Sequence, residues 1–327
     1  VFDLGDKLGF VEVVINPADP DVVFTTTYDK TRLPWNFDEY GPLSAVYKST
    51  DGGDTWKKLT AGLPGGKLGR IGLAVYPKNP AIIYATIDNC NTRPPTKDEA
   101  ERAGKAGGKP AERRIGGEVY RSEDAGETWK KMNAEGEPVG GGKWYGQVYV
   151  DPNNARTIYV PGVLLLRSLD GGRTWGTKGP ENIAGSVHVD HHAVWIDPAN
   201  SNHIVIGHDG GLAMSYDFGK TWDAFDSLPL AQFYAISADN EEPYNIYGGL
   251  QDNGSVKVPT NGRSGGIAAH GAPRGDSRSG IGDTSSIEAS GGAAIGADRG
   301  GCGADAAATA RAPDDAGACS IARTFVA

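Results

Sequence analysis
The chain has 327 residues, 22% charged and 39% hydrophobic, which suits two or three ordinary domains or one large repeat assembly. Its net charge of −9 argues against a nucleic-acid or anionic-membrane partner. No run approaches the roughly 18 apolar residues of a membrane span, and no cofactor is expected.

Taken in chain order, the residues repeat. Five segments begin units: Ile15-Asn16-Pro17, Val75-Tyr76-Pro77, Val150-Asp151-Pro152, Ile196-Asp197-Pro198 and a degraded Ser237-Ala238-Asp239. Each is followed by a β-branched or aromatic run, such as Val22-Val23-Phe24, Ile82-Ile83-Tyr84, Ile158-Tyr159-Val160 or Ile204-Val205-Ile206. Pro/Asn turns between such runs read as strand, turn, strand. Two long insertions follow second strands, over residues 28–43 and about 89–117, and the second carries a helical pattern at Thr96–Gly104.

An octapeptide S-x-D-x-G-x-T-W then recurs four times, at residues 49–56, 122–129, 168–175 and 215–222. The intervals of 73, 46 and 47 residues give a natural period near 46, with the extra length of the first being the second insertion. Four strands per period make one propeller blade, so the sequence predicts an all-β propeller with four full blades and the start of a fifth. In the octapeptide the carboxylates of Asp51, Asp124, Asp170 and Asp217 accept turn N–H groups. The glycine at the fifth place supplies positive φ, and Trp56, Trp129, Trp175 and Trp222 pack between blades. These groups are read as structural.

Composition changes near residue 255. Over residues 261–327 there is no Leu, Lys, Tyr, Trp, Met or Gln, and Gly and Ala fill 31 of 67 positions. Such a segment lacks the side chains to bury a core. The expected division is therefore 1–255 as blades and 256–327 as a disordered tail. The tail reads either as a Gly/Ala linker or as a shifted reading frame, and its scattered Arg, Asp and Cys favour the second. The three cysteines show neither disulfide nor zinc spacing.

The octapeptides resemble the Asp-box repeat of bacterial neuraminidases. With Val187 to His192, His208 to Gly211 and Gly248 to Gly254, residues 8–255 resemble the sortilin-like and xyloglucanase-like propellers usually labelled glycosyl hydrolases. The resemblance implies an extracytoplasmic propeller that binds or cleaves a glycan, and a fragment of a longer one. The alternative it implies is a sortilin-like module that holds a peptide or protein in the central funnel without catalysis. A signal peptide would lie upstream of Val1, and the oligomeric state is open.

Antiparallel connectivity places the octapeptide turns at one end of the blades and the candidate site at the other. Candidate carboxylates for glycoside hydrolysis, which needs two, are Asp190, Asp209 and Asp252; the last two could equally cap turns. Around them stand His188, His191, His192 and His208, with Lys143, Trp144, Tyr145 and Gln251. If residues 188–192 are extended, His188, Asp190 and His192 share one side and His191 takes the other. That group reads as a hydrogen-bonded plug, a ligand site or a metal site, and the first reading is preferred. Arg70 and Arg32 suit a carboxylate-bearing ligand, but the third arginine that a sialidase needs is missing. Aromatic rings for sugar stacking are Trp35, Phe37, Tyr40, Trp144, Tyr145, Phe233 and Tyr234.

Overall fold
The computed structural model describes residues 8–109, 111–142, 144–176, 181–225 and 232–261. Lys143 and the segment after residue 261, including nearly all of the expected tail, lie outside the described residues. Strands in chain order are β1 (Leu8–Asn16), β2 (Asp19–Asp29), β3 (Thr31–Leu33), β4 (Asn36–Asp38), β5 (Val46–Ser49) and β6 (Lys57–Leu59). Next come β7 (Leu68–Val75), β8 (Ile83–Arg93), α1 (Lys97–Lys105), β9 (Arg113–Ser122) and β10 (Lys130–Lys131). The third unit holds β11 (Tyr149–Asp151), β12 (Asn154–Val160) and β13 (Leu166–Ser168). The fourth holds β14 (His191–Ile196), β15 (Ile204–His208), β16 (Gly211–Ser215) and β17 (Asp223–Phe225). The fifth holds β18 (Phe233–Ala238), β19 (Asn245–Leu250) and β20 (Ser255–Pro259).

These strands form successive antiparallel meanders, β1-β2-β5-β6, β7-β8-β9-β10, β11-β12-β13, β14-β15-β16-β17 and β18-β19-β20, plus the separate hairpin β3-β4. The chain is thus an all-β protein built of propeller blades. Among the described residues the third blade shows three strands, not four. The fifth goes further than a start, because β20 pairs with Asn245 to Gly249 of β19 and carries the pairing to Pro259.

Neighbouring blades share a core. Along β8, Ile83, Ala85 and Ile87 pack with Phe24, Val46 and Leu59 of the first blade. Tyr84, on the opposite face of the same strand, packs with Ile158, Val160 and Leu166 of the third. β8 is buried on both faces from Ile83 to Cys90, so its alternate positions Tyr84, Thr86 and Asp88 are buried as well as Ile83, Ala85 and Ile87. The octapeptide tryptophans seal these layers: Trp129 belongs to the first cluster, Trp175 to the second, and Trp222 packs on the third. Trp56, in the first blade, is only half-buried.

The four octapeptide turns are near copies. Asp51 Oδ1 accepts from the Ser49 hydroxyl at 2.7 Å and from Thr55 N at 2.9 Å, while Oδ2 accepts from the Thr55 hydroxyl at 2.5 Å. Asp124, Asp170 and Asp217 repeat the pattern. The hydroxyls of Ser49 and Thr55 hold the Asp51 carboxyl at about 2, and Thr128 does the same for Asp124. A carboxylate held so firmly as an anion is a turn acceptor, not a proton donor. The expected positive φ appears at Gly53, Gly126, Gly172 and Gly219.

The fourth octapeptide position is left-handed too, even where it is not glycine: Ala125 has φ 56° and Phe218 φ 65°. Its N–H reaches the turn between the first two strands or the opening residues of the second, as in Ala125 N to Ala81 O at 2.9 Å and Gly52 N to Asp21 O at 2.9 Å. That bond ties the two turns at this end of each blade and accounts for the conformation. Left-handed backbone costs an alanine about 1–2 kcal/mol, partly offset by the extra chain entropy a glycine loses on folding. Ala125→Gly is therefore expected to stabilise the chain by roughly 0.5–1 kcal/mol, read as a higher urea midpoint. A lower midpoint would show that the alanine methyl packs better than its backbone strains.

The predicted helix is α1, capped by Thr96. Glu99 N donates to the Thr96 hydroxyl at 3.4 Å, Thr96 N to the Glu99 carboxylate at 2.7 Å, and Arg93 pairs with Glu99 at 2.7 Å. The helix tops a long β8–β9 hairpin whose pairing reaches Arg93 and Arg113. Among the described residues no helix is long and apolar enough to cross a membrane.

Candidate functional site
Because each blade is an antiparallel meander, the entry to its first strand and the link between its second and third strands share one end, opposite the octapeptides. Four such segments meet there. Tyr145 lies in the entry to β11, residues 188–190 enter β14, residues 209–210 join β15 to β16, and residues 251–254 join β19 to β20. Glycine makes the approach possible at two points. A Cβ on Gly72 would lie 1.9 Å from the Gly146 carbonyl oxygen, and one on Gly210 would lie 2.6 Å from the His188 Cβ.

The hydroxyl of Tyr145 donates to Asp190 Oδ1, and the Tyr145 ring stacks on His192 at 5.3 Å. His192 Nε2 pairs with Asp209 Oδ1 at 3.1 Å. Asp209 N in turn donates to the Asp190 carbonyl at 3.1 Å, closing the loop between the two acids. Burial, then the hydrogen bond to Asp190, push the Tyr145 phenol far above its ordinary range, with smaller contributions from Asp209 and Asp252. Tyr145 therefore stays protonated as a donor among three carboxylates.

The expected extended run over residues 188–192 is not observed. Asp190 is left-handed, with φ 63°, β14 begins only at His191, and a register shift follows between His191 and Ala193. Asp190 N and His191 N are turned back onto the carbonyls of Val163 and Gly162, at 3.2 and 2.8 Å. The simple alternation of side chains is lost, and the histidines separate into different roles. His188 lies in the loop, stacked on His208 at 6.0 Å, with Nε2 3.1 Å from the Asp252 carbonyl. His191 is fully buried, edge-on to His208 at 5.8 Å, and neither of its ring nitrogens has a hydrogen-bond partner among the described residues. Of the histidines of the expected plug, His188 and His192 take polar partners and His191 takes none among the described residues. Burial first, then the neighbouring His208, pull its imidazole down to about 4.

Asp252 and Gln251 meet the centre chiefly through backbone. Asn253 Nδ2 donates to the Asp209 carbonyl at 2.7 Å and to the Gln251 carbonyl at 2.9 Å. Arg70 donates to the Trp144 carbonyl at 3.2 Å. Trp144 is 47% exposed and contacts Phe37 at 5.6 Å, while Trp35, at the hairpin tip, is 80% exposed and shares in none of these contacts. Phe233 and Tyr234 are exposed on β18. Sequence reasoning missed Tyr149, whose hydroxyl lies 3.5 Å from the His192 carbonyl. It sits within a strand and carries no motif, so only the approach of β11 to β14 of the next blade reveals it. Among the described residues no three His, Cys, Asp or Glu side chains are disposed to hold a metal ion.

The proteins to which the chain is similar are xyloglucanase-like β-propellers. It is 28% identical over 306 residues to a xyloglucanase of a Paenibacillus species, covering 79% of this chain and 25% of that protein. It is 23% identical over 250 residues to the xyloglucanase Xgh74A of Acetivibrio thermocellus, covering 73% and 23%. The chain thus spans about a quarter of the length of these curated relatives. Among solved structures, the GH74 xyloglucanase of Xanthomonas campestris matches with a TM-score of 0.46 at 19% identity, over 77% of this chain and 36% of that one. A Dyadobacter fermentans protein of unknown function matches with a TM-score of 0.42 at 19% identity, over 79% and 80%. No protein-family model matches the chain.

Proposed function
We propose that these blades form part of an extracytoplasmic, carbohydrate-active propeller, with its glycan held over the Tyr145–Asp190 and His192–Asp209 pairs. The octapeptides are its Asp-box turns, a scaffold at the far end. The observation that carries this reading is the convergence of two carboxylates, each with its own donor, around one half-buried phenol. Two carboxyl groups are what glycoside hydrolysis uses, and differing donors are a means of separating an acid from a base. The similarity to xyloglucanases makes a β-glucan backbone with side-chain sugars the first ligand to test.

The test is calorimetry of the full 327-residue chain with xyloglucan oligosaccharides, beside an assay for new reducing ends. Binding is expected, and Asp190→Asn and Asp209→Asn should each weaken it by roughly tenfold, the scale of a hydrogen bond to a charged group. If hydrolysis is seen, the same changes should slow it by at least about 100-fold. Folded protein that retains no glycan but captures a peptide would overturn this reading in favour of a sortilin-like binding propeller.

A further inference from the structure
At the same end as the candidate site, the first two blades present a different chemistry. Arg32, on β3, stands with its guanidinium 5.2 Å from the Trp144 ring centroid and 5.6 Å from that of Phe37. Arg70, on β7, holds the carbonyl of the same Trp144. Lys30 stands 5.3 Å over Tyr28, and Lys67 stands 5.7 Å over Tyr40. Among the described residues none of these four cations is in an ion pair, whereas the nearby Arg114 is paired with both Asp88 and Glu39. In a chain of net charge −9, four cations outside any ion pair among the described residues, three of them seated over rings, are a local reversal of sign, with Glu12 the acid that faces Arg70.

Stacking engages the flat face of a guanidinium and leaves its edge of N–H donors for another partner. That edge matches a carboxylate in a planar, two-pronged pair. Trp144 fixes the relation of the two arginines, one on its ring and one on its carbonyl, and Tyr145 follows it directly into the Asp190 centre. The carboxylates of the centre lie on the fourth and fifth blades and the four cations on the first and second. An anionic group would be repelled by the former and drawn to the latter, which orients a bound chain along the rim.

Resting on the glycan-binding reading above, we propose that Arg32 and Arg70, joined through Trp144, form a subsite for the carboxylate of a uronic-acid unit beside the Tyr145–Asp190 centre. The ligand class is then an acidic glycan, one with carboxylate-bearing sugars, in addition to any neutral backbone.

The experiment is calorimetry of the full chain with a galacturonate oligosaccharide and with its carboxyl-reduced, uncharged counterpart. The acidic form is expected to bind roughly tenfold more tightly at low salt, with the gap closing as salt screens the pair. Arg32→Gln, on an exposed hairpin, should abolish the gap while leaving the circular dichroism unchanged. Lys78→Gln, in the β7–β8 turn at the octapeptide end, should leave it intact. Equal affinity for the two forms overturns the subsite, as does dextran sulfate binding as tightly as the uronide, which would mark general polyanion attraction. Binding of neutral xyloglucan oligosaccharide without preference for acid removes this proposal alone. Failure to bind any glycan removes the reading on which it rests as well.

Discussion

Trp129→Ala is expected to destabilise the chain by about 3–5 kcal/mol, the range for emptying a buried aromatic site. Trp129 is 6% exposed and belongs to the core shared by the first and second blades, with Phe24, Leu59, Ile83 and Tyr120. Its indole N–H donates to the Gly126 carbonyl at 3.0 Å and its backbone N–H to the Ala61 carbonyl at 2.9 Å. The second bond crosses from one blade to the next. The residue is therefore filler through its indole and latch through its backbone N–H, and alanine keeps only the second. Trp56→Ala is the internal comparison. It carries the same indole bond, to Gly53 at 2.8 Å, but is half-buried, so a loss of about 1–2 kcal/mol is expected. Urea denaturation of the two variants checks the order. Equal losses would mean that the octapeptide tryptophan acts within its own turn and does not join blades.

That contrast also shows what the sequence could convey. The octapeptide is legible because a tight turn with an anionic acceptor leaves little choice of residue: Ser, Asp and Thr side chains each fill a set place in its hydrogen bonds, and Gly supplies its positive φ. Blade order and the exposed helix α1 followed from the same local rules of turn and cap. The site was legible only as a set of loops at one end. Its internal arrangement was not, because it depends on a left-handed Asp190 and a register shift after His191, which together break simple alternation before Ala193. Nothing in Val-His-Val-Asp-His-His announces that turn; it is imposed by the Gly162 and Val163 carbonyls of the neighbouring blade. Likewise Ala125 and Phe218 occupy left-handed positions that composition would assign to glycine, since the bond to the facing turn, not the residue's own preference, decides them.

The same imposed turn buries His191, and its consequence is a measurable dependence of stability on pH. In the unfolded chain an imidazole titrates near 6.5; in the folded chain burial, then His208, bring His191 down to about 4. Above pH 6.5 the ring is neutral in both states and adds no slope. Between 6.5 and 4 the unfolded chain binds a proton that the folded chain refuses, so stability falls as pH falls. The total loss approaches about 3 kcal/mol, and below pH 4 it grows no further. The neighbours that face His191 are His188, His192 and His208, which oppose its protonation, and Asp190, which favours it. His191→Phe keeps an edge-on ring beside His208 and forfeits no side-chain hydrogen bond, because neither ring nitrogen has one among the described residues. Urea midpoints from pH 7.5 to 4 should therefore fall more steeply for the parent chain than for the variant, whatever constant offset the larger ring introduces. Parallel curves would show that His191 takes up its proton while still folded, and that the cluster around it opens to water before the blades come apart.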